Sequence, residues 1–242
     1  MIRHVWMLFL LVPVSTLASS DVILDHAPID THDVVSIQHG AKVFVNYCLG
    51  CHGATAMRYN RLMDLGLSEA QIRDNLLFTG RKVGDAMNSA MVGKQAKEWF
   101  GVAPPDLSVI ARSRSPDWLY TYLRSFYRDD SRPAGWNNLT FENVAMPHVL
   151  YELQGTQILE QEKSAGGHGE VHAKKKLVLQ KAGNLSPAQY DTLIRDLVNY
   201  LVFMGEPVRE TRAQIGAVTL IFLFLFFVLS YALKKNYWND VH

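Results

Sequence analysis

Residues 48–52 of the 242-residue chain read Cys48-Leu49-Gly50-Cys51-His52, and this stretch contains both cysteines of the sequence. Two thiols held two residues apart on a tight turn can each form a thioether with one vinyl group of the same porphyrin. The histidine that follows can then bind the iron from the same side. The spacing therefore predicts one covalently attached haem c, held by Cys48 and Cys51, with His52 as an axial iron ligand.

Three other uses of this cysteine pair are less consistent with the sequence. One disulfide is possible in an exported protein, but the histidine directly beside the pair favours another use. A zinc site needs two further ligands at a matching spacing, and the chain has no other cysteine. A thioredoxin-like redox pair is expected in a strand–helix–strand setting, whereas this pair follows an amphipathic helix. Haem attachment is the favoured interpretation.

Amphipathic helices are predicted on both sides of the motif. Before it, Ile37, Ala41 and Phe44 recur at steps of three and four residues. Later helices are predicted from capping patterns, in which a serine before the first turn is followed directly by a proline or, three residues later, by a glutamine. The predicted helices are residues 34–47, 68 to about 80 with a Ser68–Gln71 capping box, 115–126 with Pro116 at the first position, and 186–204 with a Ser186–Gln189 capping box.

Long connections separate these helices, at residues 81–114 and 127–185. Loops of this size usually carry function or surround a ligand that completes the core, and haem would serve that purpose. No alternating pattern predicts a sheet, and residues 160–181 have the composition of an exposed polar insertion. The chain therefore predicts an all-α domain with long loops around a haem.

Candidates for the remaining contacts of the iron site lie in two of these loops. Met146 precedes the last helix of the domain, and the proline that follows favours an extended backbone that presents the thioether at a fixed depth. Met146 is therefore the predicted sixth ligand, while Met91, His148 and an open position are the alternatives. Residues 103–107 contain two prolines and can supply a carbonyl that accepts a hydrogen bond from His52.

Both ends of the chain predict export and anchoring. Residues 1–20 have the positive start, short apolar run and small residues of a signal peptide. Residues 213–233 carry no charge and are long enough to cross a bilayer. Export then places residues 21–212, a monohaem cytochrome c domain, in the periplasm. A cytoplasmic tail of residues 234–242 would follow, so the predicted location is a bacterial inner membrane.

The formal charge of +1 argues against a nucleic-acid partner, because such proteins usually carry a strong basic excess. Membrane lipid is an expected partner of the apolar segment.

The motif and the two outer helices resemble class I c-type cytochromes. In that family the helix before the motif crosses the last helix through a glycine and an aromatic pair, and Gly40, Phe44, Leu197 and Tyr200 match this pattern. More narrowly, the chain resembles the cytochrome c1 family from about Val34 to its C-terminus. The matching stretches are 48–52, 58–62, 103–108, 118–123, 143–148, 199–201, 205–207 and the final membrane helix.

This resemblance implies the haem subunit of quinol:cytochrome c oxidoreductase. The family accepts an electron from the Rieske iron–sulfur protein and passes it to a cytochrome c, beside a cytochrome b subunit in a dimeric complex. It implies Cys48 and Cys51 as covalent attachments, His52 and Met146 as axial ligands, and the Pro105 carbonyl as the group that orients His52. The chain alone would then be an electron carrier rather than an enzyme.

The sequence is compatible with several alternatives. The resemblance implies a basic partner for a haem propionate, and Lys97, Arg112 and Arg114 are the candidates. An anchored cytochrome of a terminal oxidase or a dehydrogenase is an alternative within electron transfer. A haem enzyme or sensor with an open distal site is the alternative from another class.

Overall fold

The computed structural model describes residues 23–165 and 171–239. Its helices are α1 Val34–Val43, α2 Glu69–Asn75, α3 Gly93–Phe100, α4 Ile110–Arg114, α5 Pro116–Arg124, α6 Tyr151–Gln154, α7 Pro187–Gly205 and α8 Arg209–Tyr237. A π-helical turn, Phe44–Cys48, follows α1, and a 3₁₀ helix spans Tyr59–Leu65. The strands are β1 Ala54–Arg58, β2 Ala86–Met87, β3 Phe126–Arg128, β4 Trp136–Asn138, β5 Gly155–Ala165 and β6 Val171–Ala182.

Helix α1 leads directly into the cysteine motif. The Asp33 carboxylate caps it by accepting a hydrogen bond from the Ser36 backbone N–H at 3.0 Å. At its other end the Leu49 N–H donates to the Phe44 carbonyl at 3.0 Å, five residues back, which widens the helix into a π-turn. Cys48 therefore lies at the end of a helix whose two ends are both held by hydrogen bonds.

Helix α7 packs across α1. Its predicted Ser186–Gln189 capping box is confirmed, and Leu197 and Tyr200 are buried on the face toward the domain core. The Tyr200 ring lies 5.4 Å from the Phe44 ring between centroids. The aromatic contact expected between these two helices is therefore present.

Two of the predicted helices begin where expected and end earlier. The Ser68–Gln71 capping box is present, but α2 stops at Asn75 instead of near residue 80. Helix α5 has Pro116 at its first position and stops at Arg124. Phe126 belongs to β3 instead of the helix, so its position on the helical stripe is coincidental.

The all-α fold class is not confirmed, because the described residues include three two-stranded antiparallel sheets. Strand β1 pairs with β2, β3 with β4, and β5 with β6. The expectation of no sheet was wrong for a physical reason. Short antiparallel ribbons satisfy their backbone groups by pairing and need no long alternating pattern in the sequence. The domain is helical with β-ribbons in its long connections.

The longest ribbon includes the predicted polar insertion, residues 160–181. Strands β5 and β6 stay in register from the Gly155–Ala182 pair to the Ala165–Val171 pair, with one bulge. Glu160 and Lys176 are both exposed and are partners in this register. Opposite charges across a strand pair stabilise it without a buried face. The insertion is polar as expected, but it is a hairpin and not a loop.

The buried core joins α1, α5 and α7, and helix α8 lies outside it. By length and apolar composition, Thr211–Tyr237 is the one helix in the described part of the chain that could cross a membrane. It includes the predicted residues 213–233. The predicted signal peptide, residues 1–20, and the last three residues of the predicted tail lie outside the described residues.

Candidate haem-binding site

The five residues of the cysteine motif form a tight turn. The N–H groups of Cys51 and His52 both donate to the Cys48 carbonyl, at 3.1 and 2.8 Å. Leu49 is fully buried and anchors the turn in the core. The two cysteines and the histidine are half-exposed, so the turn presents them at the edge of the core.

Both cysteines are free thiols. Although Cys48 as a residue is partly exposed, its thiol is surrounded by protein, and this burial raises the pKa of Cys48 to about 12, with a smaller contribution from Cys51. Burial also raises the pKa of Cys51. Both groups are protonated at neutral pH, and two reduced thiols on one turn are what thioether formation with a porphyrin requires.

The His52 ring is oriented by the loop with the two prolines. Its Nδ1 lies 2.8 Å from the carbonyl oxygen of Pro105. A carbonyl oxygen can only accept, so Nδ1 carries the hydrogen of the neutral ring and Nε2 carries the lone pair. Burial lowers the pKa of His52, an effect that the Pro105 carbonyl and Asp106 oppose. The ring therefore offers a neutral Nε2 to an iron ion.

Backbone contacts tie this loop to the residues that follow the motif. The Leu107 N–H donates to the Gly53 carbonyl at 2.8 Å. The Asp106 carboxylate accepts hydrogen bonds from the backbone N–H groups of Thr55 and Ser108, both at 2.8 Å. These contacts of Asp106 and Leu107, directly after Pro105, hold the Pro105 carbonyl beside His52.

Met146 lies half-buried against the same hydrophobic core as Cys48. Its sulfur accepts a hydrogen bond from the Tyr122 hydroxyl, with 3.5 Å between oxygen and sulfur. The loop before it turns at Asn143, whose φ of 61° is in the left-handed region. Arg132 donates to the side chain and the carbonyl of Asn143, at 3.1 and 3.0 Å. These contacts hold the loop that presents the thioether.

His148, an alternative sixth ligand, lies in an aromatic cluster. Its ring stacks on Phe126 at 4.9 Å between centroids and meets the edge of Trp136 at 5.1 Å. Burial lowers the pKa of His148 to about 4, an effect that Gln154 opposes. His148 is therefore a neutral side chain of the core.

Met91, the other alternative sixth ligand, is linked to the motif by hydrogen bonds through Ser89. Its N–H donates to the Ser89 hydroxyl at 3.0 Å, and that hydroxyl donates to the Gly50 carbonyl at 3.0 Å. Ser89 thereby links the first long connection, residues 81–114, to the attachment turn.

The three basic candidates for a propionate partner lie in different surroundings. The Arg114 guanidinium lies over the Trp118 ring, 5.1 Å from its centroid. Arg112 lies 3.9 Å from the Glu206 carboxylate, and Lys97 is exposed on α3. Trp118 stacks on Tyr122, so Arg114 is linked through these two rings to the contact between Tyr122 and Met146.

Sequence reasoning gave no role to Tyr122 or Ser89. The helical pattern placed Tyr122 on the apolar side of its helix, and it is buried there. Periodicity predicts burial, but it does not predict which atom a buried hydroxyl meets. Ser89 lies in an irregular stretch, where no pattern could have identified it.

The side chains of the site fit a covalently attached haem. The donor set comprises two free thiols on one turn, an imidazole with a free Nε2, and a half-buried thioether. Imidazole and thioether are the axial pair of c-type electron carriers.

Comparison with known proteins adds to this description. A sequence model of the Cytochrome C1 family matches residues 25–164 and 173–241. The ammonia monooxygenase gamma subunit of Nitrosomonas europaea is 52% identical, over 100% of this chain and 99% of that protein. Cytochrome c1 of Allochromatium vinosum is 50% identical over 96% of both chains. Cytochrome c1 of Rhodospirillum rubrum is 26% identical over 87% of this chain and 83% of its own. The matched region includes every residue of the candidate site.

Proposed function

The chain belongs to the Cytochrome C1 family, and on that premise we propose that it accepts one electron from the Rieske iron–sulfur protein and passes it to a cytochrome c. Family membership makes it an electron-carrier subunit of a respiratory bc1 complex, alongside cytochrome b and a Rieske protein. Members of this family carry one covalently bound haem c. The chain by itself is a carrier, and the enzyme is the complex.

In this proposal Cys48 and Cys51 hold the haem, and His52 and Met146 are the axial ligands. When bound, the haem supplies one-electron redox chemistry at its iron. The hydrogen bond from His52 Nδ1 to the Pro105 carbonyl is the observation that carries the proposal, because it leaves Nε2 free and fixes the ring plane. A Met146 thioether bound to the iron would favour the reduced state and raise the potential, which suits a carrier late in a chain.

The proposed setting is a bacterial inner membrane. Helix α8 would cross the bilayer beside cytochrome b and lipid, in a dimeric complex. The haem domain would face the periplasm and the tail after α8 the cytoplasm. Two basic residues lie at each end of α8, Arg209 and Arg212 at its start and Lys234 and Lys235 at its end, so the proposed orientation follows from the predicted export signal and not from these charges.

Purification of the native complex through a tag on this chain tests the proposal. We expect cytochrome b and the Rieske protein to co-purify, and the pyridine spectrum to give one haem c per chain. Quinol should reduce this haem rapidly in the intact complex. After removal of the Rieske protein, quinol should still reduce cytochrome b but not this haem.

Other results would contradict the proposal. Co-purification with a terminal oxidase, a dehydrogenase or a monooxygenase in place of cytochrome b would assign the chain to another assembly. Rapid reduction by quinol without the Rieske protein would remove that protein as the donor. A high-spin oxidised iron would favour an open distal site.

A further inference from the structure

The hydrogen bond between Tyr122 and Met146 has no part in the covalent attachment of a haem. The Tyr122 hydroxyl lies 3.5 Å from the Met146 sulfur. A thioether carries no hydrogen on its sulfur, so the phenol is the donor. Within the described residues, this sulfur is the hydrogen-bond partner that the structure gives the hydroxyl.

Neighbouring rings fix the position of this donor. Trp118 stacks on the Tyr122 ring with 4.7 Å between centroids and an interplanar angle of 10°. Phe126 meets it edge-on at 5.1 Å and 68°. Tyr122 is buried, so water has little access to its hydroxyl and does not readily replace the Met146 sulfur as its partner. The hydrogen bond is therefore held in place by packing on both sides of the ring.

We propose that Tyr122 is a positioning residue that raises the potential of the haem iron by donating a hydrogen bond to the Met146 sulfur. The inference rests on the proposed role of Met146 as an axial ligand. A thioether sulfur has two lone pairs, and one can bind iron while the other accepts the hydrogen bond.

The direction of the effect follows from the charge on the iron. A hydrogen bond draws electron density from the sulfur and makes it a weaker donor. Electron donation from the sulfur stabilises the more positive, oxidised iron more than the reduced iron. When the donation weakens, the oxidised state therefore loses more stability than the reduced state. Hydrogen bonds to a ligand are one of the means by which a protein sets a haem potential, so the hydroxyl raises it.

Tyr122→Phe in the purified complex tests this inference, since it removes the oxygen and keeps the ring between Trp118 and Phe126. The equilibrium should shift by as much as about fivefold toward oxidised iron, which is the effect of one ordinary hydrogen bond. At 59 mV per tenfold for one electron, this is a fall of about 40 mV. A spectroelectrochemical titration measures it. The sulfur-to-iron charge-transfer absorption of the oxidised protein should remain, because Met146 stays bound.

Tyr190→Phe is the matched control. The Tyr190 hydroxyl is also buried, and it donates to the Leu123 carbonyl at 2.9 Å. Each variant removes one phenol oxygen, but only the Tyr122 oxygen is hydrogen-bonded to Met146. The control should lose some stability and keep the potential of the unmodified protein.

The outcomes separate this inference from the proposed function. An unchanged potential in Tyr122→Phe, or an equal fall in Tyr190→Phe, would overturn the role of Tyr122 while Met146 remains a ligand. Loss of the charge-transfer absorption in Tyr122→Phe would also overturn it, because the hydroxyl would then maintain ligation. If the unmodified protein lacks this absorption, Met146 is not the ligand and the proposed site is wrong.

Discussion

Gly40 of α1 lies directly against the backbone of Asp196 in α7. A Cβ atom at position 40 would stand 2.0 Å from the Asp196 carbonyl oxygen and 2.7 Å from the Cβ of Tyr200. The two helices can approach this closely only because residue 40 has no side chain. This contact sets the separation of the helix that carries the cysteine motif from the last helix of the domain.

Gly40→Ala should destabilise the domain strongly. The added methyl group meets backbone atoms, so the helices must separate, and overpacking of this kind costs about 3 kcal/mol. For a domain of this size such a loss lowers the melting temperature by roughly 10 °C. Thermal unfolding of the detergent-solubilised holoprotein, followed by haem absorbance, measures the change.

Gly93→Ala is the control for that substitution. An added Cβ at Gly93, the first residue of α3, has no neighbour within 4 Å. Its melting temperature should stay within a few degrees of the unmodified protein. Similar melting temperatures for the two variants would show that the contact at Gly40 does not limit the approach of the helices.

The attachment motif and several helices could be predicted from the sequence. The spacing of Cys48, Cys51 and His52 predicts the chemistry of attachment, since that order places two thiols and an imidazole on one turn. Helix periodicity and capping boxes gave the positions of α1, α2, α5 and α7, because those signals are local.

The remaining features depend on contacts between distant residues. The β5–β6 ribbon has no alternating apolar face, so its sequence looks like a polar loop until the strands are paired. The bond from Tyr122 to Met146 depends on where α5 packs against a loop 24 residues later. Pro105 was anticipated only through a family resemblance, because a proline pair indicates a stiff loop and not its direction.

Met146→Leu should identify the sixth ligand. Leucine keeps most of the volume and removes the sulfur, so the domain should still fold with its haem attached. Loss of a thioether ligand destabilises reduced iron, and we expect the potential to fall by on the order of 100 mV or more. The sulfur-to-iron charge-transfer absorption should disappear, and electron transfer to cytochrome c should become slow.

Met91→Leu removes the same atom at the alternative position. We expect its potential and spectrum to match those of the unmodified protein. If Met91→Leu loses the absorption and Met146→Leu keeps it, Met91 is the sixth ligand and the assignment of Met146 is wrong.

Asp129 should contribute to the pH dependence of stability. Its carboxylate accepts hydrogen bonds from the Ser131 hydroxyl at 2.6 Å and the Asn137 amide at 2.9 Å, and these contacts lower its pKa below the ordinary 3.8. A lowered pKa in the folded state means that the ionised group stabilises the fold above pH 3.8. This contribution is lost as the pH falls through the folded-state pKa.

Asp129→Asn should therefore melt below the unmodified protein at pH 7, and the difference should shrink as the pH falls below 3.8. Thermal unfolding at a series of pH values measures the difference. Asp130→Asn removes the next carboxylate, whose contact is an exposed ion pair with Arg128, and it should have a smaller effect. A difference for Asp129→Asn that is constant from pH 7 to pH 3 would contradict the assignment.

The Glu206 carboxylate forms two ion pairs at the junction between the haem domain and α8. Glu206 follows the end of α7, and its side chain is 18% exposed. It pairs with Arg212 at the start of α8, and its other oxygen lies 3.9 Å from Arg112 in α4. A carboxylate at a helix C-terminus is unfavourable by itself, so these two cations are what make the arrangement stable.

Glu206→Gln should loosen this junction without unfolding the haem domain. Removing the charge weakens both ion pairs, and a loss of about 1 kcal/mol in local stability makes opening roughly fivefold more frequent. Trypsin should then cleave after Arg209 or Arg212 several-fold faster in the solubilised complex, while the haem potential stays the same. Glu152→Gln is a suitable control, because the exposed Glu152 side chain accepts a hydrogen bond from the adjacent Tyr151 hydroxyl and forms no ion pair within the described part of the chain. Equal cleavage rates in the two variants would mean that the ion pairs do not hold α8, and that contacts of the membrane helix with its partners fix the junction instead.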